Sequence, residues 1–143
     1  VDPGAGRGGL SVRMDEAHHY DIEVGAGTVS VLARIGPVRQ CLARHPVPSG
    51  EVTLTVDIRT ADVLPPTVIA DGPQGLGVRA GGPDTITFSL GGGTPVRLAE
   101  LDGRYLSTQV ATGFTGRVIG MYATEGTVAF DWFDYEPAEG VDR

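Results

Sequence analysis

Apolar side chains recur at every second position along most of this chain, and that spacing restricts it to sheet. Leu10, Val12 and Met14 alternate with Ser11, Arg13 and Asp15, and Tyr20, Ile22 and Val24 alternate with His19, Asp21 and Glu23. Val52, Leu54, Val56 and Ile58 face one way while Thr53, Thr55, Asp57 and Arg59 face the other. Side chains on a strand point to opposite faces in turn, so each segment offers one apolar and one wet face. That is the signature of an antiparallel sheet with one solvated side. No window carries a sustained 3.6-residue stripe with capping residues, so long helices are not expected.

Between these segments stand turn and breaker residues, 22 Gly and 10 Pro in 143 residues. Gly25-Ala-Gly27 predicts a turn into a strand from Thr28 to Arg34, and Asp102-Gly103 reads as a hairpin signal. Further strands are expected around Ile86 to Leu90, Val96 to Leu98, Arg104 to Thr108, Arg117 to Ala123 and Thr127 to Tyr135. The pattern dissolves from Thr60 to Gly82, and Gly91-Gly-Gly93 reads as a turn. About ten short strands at this spacing indicate an all-β antiparallel sandwich or jelly roll in a single domain spanning 1–143.

The formal charge is −7, from 11 basic and 18 acidic residues. Phosphate backbones demand clustered cations, so nucleic acid is a poor partner. All 11 basic residues are Arg, and the absence of Lys and Asn, both encoded by AT-rich codons, points to a GC-rich bacterial genome. Cys41 is the single cysteine, so no intrachain disulfide forms. Its apolar neighbours Val38 and Leu42 suggest a small buried hydrophobe, and a lone thiol leans towards the cytoplasm. No stretch reaches the roughly 18 apolar residues of a membrane span, and the N-terminus does not resemble a signal peptide.

Catalytic chemistry is hard to find. Glycosidic hydrolysis normally needs two carboxylates flanking the bond. Asp21 and Glu23 share a strand face, yet no aromatic wall is near in sequence, so they read as a solvated face beside His19. Glu100 and Asp102 enter a turn, and Glu136 and Glu139 belong to an acidic C-terminus. His18 and His19 point to opposite faces of a strand and cannot chelate one ion from there. His18 is expected at the edge of the core and His19 in solvent. His45 precedes a proline in what reads as a loop, so zinc is not expected. The glycine-rich turns lack the helix and Lys of a phosphate cradle, and no Gly-x-Ser-x-Gly elbow is present.

Two aromatic features remain. Gly113-Phe114-Thr115-Gly116 sets one ring between glycines, either tucked under its loop or presented to a partner surface. In Phe130-Asp131-Trp132-Phe133-Asp134-Tyr135, a strand would put Phe130 and Trp132 on one face, where core packing is the default reading. Asp131, Phe133 and Tyr135 would take the other face, leaving Phe133 and Tyr135 as candidates for glycan or interdomain contact.

These residues also carry a resemblance. The runs from Leu101 to Thr108, Gly113 to Tyr122 and Ala129 to Tyr135, together with Gly9 to Tyr20, resemble the C-terminal domain of glycoside hydrolase family 43 β-xylosidases and α-L-arabinofuranosidases. The resemblance implies a concanavalin A-like sandwich packed on a catalytic five-bladed propeller. The chain would then be a non-catalytic accessory domain in the breakdown of xylan-type hemicellulose. It implies that Phe114 lies on a loop reaching the propeller's sugar pocket. Some such sandwiches hold a structural calcium through an Asp of the last strand, which would be Asp131; no other cofactor is expected.

The resembled domain begins several strands before Gly9. The resemblance therefore implies a fragment lacking N-terminal strands, whose open edges favour homo-oligomers. Two other readings stand beside it. One is a lectin-like module that binds xylo- or arabino-oligosaccharides by itself, and the other is a purely structural, self-associating domain.

Overall fold

The computed structural model describes residues 1–59, 84–91, 94–113 and 116–137. Its strands are β1 (Arg7–Asp15), β2 (His18–Gly25), β3 (Thr28–Ile35), β4 (Val38–Pro46), β5 (Leu54–Arg59), β6 (Thr85–Leu90), β7 (Val96–Asp102) and β8 (Val118–Glu125). Among the described residues they form a five-stranded sheet, ordered β4-β3-β2-β1-β8, and a three-stranded sheet, ordered β5-β6-β7. Every ladder is antiparallel.

Register follows the alternation. Val12 stands opposite Tyr20, Ile22 opposite Val31 and Val24 opposite Val29, so one face of the large sheet is continuously apolar. Val56 opposite Phe88 and Ile58 opposite Ile86 supply the facing layer. Between the sheets Val12, Tyr20, Ile22, Val24, Val29, Val31, Ile86, Phe88 and Leu106 are almost wholly buried. Each large side chain removed from water there contributes about 2 kcal/mol. Tyr20 is admitted to this core because its hydroxyl donates to the Asp102 carbonyl at 2.7 Å.

The β2–β3 turn is as tight as the glycines suggested, but it places a non-glycine in the left-handed region. Ala26 has φ 51° and Gly27 φ 70°. Two consecutive positive values are what a two-residue type I′ hairpin requires.

Five expectations are corrected. Arg104 to Thr108 is not a strand: a 3₁₀ turn spans Gly103–Leu106 and a short helix, α1, spans Thr108–Ala111. The Asp102 side chain caps the Arg104 amide, and the Gly103 amide donates to the Asp84 carbonyl. Asp102-Gly103 therefore opens a helical turn rather than a hairpin. Thr127 to Tyr135 is not a strand either, because its one ladder contact is an isolated bridge between Asp2 and Ala129. Beyond that bridge the segment has no sheet partner among the described residues.

Finally, Cys41 and its neighbours are exposed rather than buried. They lie on β4, the edge strand, where Val38 is 58% and Leu42 41% accessible. The same strand runs through His45, which is half-buried on β4 rather than in a loop.

Candidate functional site

The outer face of the five-stranded sheet is more organised than a wet face. Asp21 and Glu23 are only 7% and 6% accessible, contrary to the solvated reading. Cross-strand neighbours bury them. Glu23 accepts from the Tyr122 hydroxyl at 3.0 Å through one oxygen and pairs with Arg7 at 3.4 Å through the other. Asp21 holds His19 Nδ1 at 2.7 Å. His19 is consequently half-buried and tethered, not free in solvent. Burial, reinforced by the Asp21 and Glu23 carboxylates, pushes the Tyr122 phenol far above its ordinary range.

This arrangement does not suit bond cleavage. A general acid or nucleophile needs free reach to a substrate atom, whereas both Glu23 oxygens are held by protein donors. Neither carboxylate lines either of the two clefts described below. His18 sits on the opposite face and pairs with Asp15 at 2.9 Å. That hydrogen bond holds the Asp15 carboxyl below the usual carboxylate range.

A cleft of about 840 Å³ opens between β5 and the C-terminal segment. Leu10, Leu54, Val56 and Ile119 supply apolar wall, and Phe130, Trp132, Phe133 and Tyr135 stand along its other side. Phe130 is half-buried, whereas Trp132, Phe133 and Tyr135 are exposed. Trp132 therefore does not enter the core as its strand spacing suggested. Because the segment is unpaired, the two-face pattern does not apply, and all three rings border the same opening.

Asp131 lies in this segment, exposed. Calcium takes six to eight oxygen ligands, and among the described residues no three His, Cys, Asp or Glu side chains converge to hold an ion.

Phe114 lies outside the described residues, but both ends of its loop are anchored. Before it, Leu106 and Ala111 are buried, and Thr112 closes α1 in the left-handed conformation at φ 48°. After it, Arg117 reaches back in a fork. Its Nε donates to the Leu106 carbonyl at 3.2 Å, one terminal nitrogen to the Gly103 carbonyl at 3.0 Å and the other to Asp84 at 3.0 Å. A planar guanidinium suits this three-way contact in a way an ammonium does not. Sequence reading missed Arg117 because none of its partners is local, Asp84 being 33 positions away.

Two antiparallel sheets around one core are the architecture of a concanavalin A-like sandwich. The comparison with known families agrees. The chain belongs to the family of β-xylosidase C-terminal concanavalin A-like domains, whose model matches residues 4–136. At family level it is an accessory, non-catalytic domain of family 43 glycoside hydrolases. No curated protein matches the chain.

Proposed function

We propose that this domain completes the active site of a β-xylosidase or α-L-arabinofuranosidase by packing on a catalytic five-bladed propeller and lending it the Phe114 loop. The observation that carries this reading is the double anchorage of that loop by buried Leu106 and Ala111 and by the Arg117 fork. A loop that merely closes a turn needs no such foundation. One that holds a ring beside a sugar does, since orientation and water exclusion act only when the ring is fixed. The exposed Trp132, Phe133 and Tyr135 supply an apolar surface of the kind that marks contact sites, and we assign them to the contact with the propeller.

The test is Phe114→Ala in the whole enzyme, assayed on aryl xyloside and aryl arabinoside. The expected outcome is a fall of tenfold or more in kcat/KM with an unchanged melting temperature. Unchanged kcat/KM on both substrates would refute the proposal.

One observation favours a second reading, an oligosaccharide-binding module. The 840 Å³ cleft combines exposed rings with the carboxylates of Asp131, Asp134 and Glu136. Stacking faces beside hydrogen-bond acceptors are what a sugar chain requires. Trp132 is the single Trp, so titration with xylo-oligosaccharides reports directly on it. Saturable quenching at micromolar concentration would favour the module, and a flat titration would favour the propeller contact.

A further inference from the structure

The strand register sets a row of basic side chains across the outer face of the large sheet. Arg13 stands opposite His19, His19 opposite Arg34, and Arg34 opposite Arg39. Directly paired residues share a face, so the four form one line across β1, β2, β3 and β4. With strands about 4.8 Å apart, the line is roughly 14 Å long.

Two features of this row are unusual. Arg34 and Arg39 are like charges directly opposite one another, an arrangement that destabilises a sheet. In a chain of net charge −7, none of Arg13, Arg34 and Arg39 makes an ion pair among the described residues, whereas Arg7, Arg59, Arg97, Arg104 and Arg117 all do. Arg34 donates through Nε to the Gly36 carbonyl, which leaves its two terminal nitrogens without an acceptor among the described residues.

A groove of about 340 Å³ opens at this place, lined by His19, Leu32, Arg34, Arg39, Gln40 and Cys41. That is the small end of the range for ligand pockets. The structure assigns this groove as a binding site for a small polyhydroxylated carboxylate of the sugar-acid class. Guanidinium forks match a carboxylate bidentately. The His19 imidazole, tethered by Asp21 at 2.7 Å, supplies a partner for a hydroxyl group. Leu32 offers an apolar patch for the ring. The occupant's negative charge relieves the repulsion that the empty row imposes. The groove shares no lining residue with the aromatic cleft, so it stands whether or not the propeller reading does.

Calorimetric titration of the full polypeptide with glucuronate, xylose and inorganic phosphate tests this, with ionic strength held constant by chloride. Glucuronate should bind saturably while xylose and phosphate do not. Arg39→Gln and Arg34→Gln should each weaken glucuronate at least tenfold. Arg104→Gln, a remote arginine paired with Asp102, should change nothing. Melting temperatures of the variants keep folding separate from binding. Absence of saturable glucuronate binding, an equal response to phosphate or xylose, or indifference to both groove substitutions would overturn the assignment.

Discussion

Replacing Arg117 by Met should cost the domain about 3 kcal/mol. The thioether chain preserves most of the apolar stem and removes three donors, those to Leu106, Gly103 and Asp84. A charged donor in a buried hydrogen bond contributes roughly 1.5–3 kcal/mol. Here the Arg117 side chain is 21% and that of Asp84 30% accessible. Water therefore replaces part of each contact, and about 1 kcal/mol per bond is the appropriate figure. For a domain of this size, ~3 kcal/mol lowers the melting temperature by roughly 10 °C.

Urea unfolding followed by far-ultraviolet dichroism measures the change, and the slope with denaturant should stay constant if the native state keeps its compactness. Arg117→Lys should recover only the Asp84 contact, since one ammonium does not span all three acceptors. A double-mutant cycle with Asp84→Asn should then show about 1 kcal/mol of coupling. Coincident unfolding curves for Arg117→Met and the parent would refute the argument, as would full rescue by Lys.

Three further outcomes follow from single sites. Ala26→Asn should stabilise the domain by about 1 kcal/mol, because it creates the Asn-Gly pair that a type I′ turn favours at the positive φ Ala26 now adopts; denaturant midpoints check it. Burial and the Asp102 carboxylate push the Tyr20 phenol from 10.0 up to about 12. The native state thus prefers the neutral form. Stability that is intact below pH 10 should decline towards pH 12 by ~3 kcal/mol, at about 1.4 kcal/mol per pH unit. Urea midpoints measured from pH 9 to 11.5 should show the decline, and Tyr20→Phe should remove its share of the slope. Gly9→Ala should abolish the native sheet, costing at least ~3 kcal/mol, since its Cβ would stand 1.9 Å from the Ile22 carbonyl oxygen. Gly120→Ala on adjacent β8, where nothing lies within 4 Å, is the neutral control by dichroism and melting.

Alternation located β1, β2, β3, β5 and β6 because each contributes a row of apolar residues to one core, and β8 although it adds only Ile119. It failed where side chains rather than a neighbouring strand satisfy the backbone. At Gly103–Leu106 the carbonyls are taken by Arg117 and an amide by the Asp102 carboxylate. At Phe130 to Tyr135 a ladder partner beyond Ala129 is lacking among the described residues, so alternation has no faces to act on. Period-two spacing states what a strand would bury; it does not supply the second strand. Cys41 was misjudged for a related reason. Its apolar neighbours suggested a core, but β4 lies at the edge of a five-stranded sheet facing a three-stranded one.

The site was less legible than the fold because the contacts that hold Glu23 are made across sequence distances of 16 to 101 residues. On one strand Asp21 and Glu23 look solvated. Once β8 lies two strands away and Arg7 alongside, their oxygens belong to Tyr122, Arg7 and His19. The same assembly that buries these acids withdraws them from chemistry. A carboxylate whose two oxygens are held by a guanidinium and a phenol is tied to the framework and lacks free reach to a substrate atom. What the sheet leaves outward are groups that recognise rather than react: aromatic rings beside β5, unpaired guanidinium groups across β1 to β4. A domain that commits Asp21 and Glu23 to its own framework and presents rings and cations at its surface is built to hold and orient.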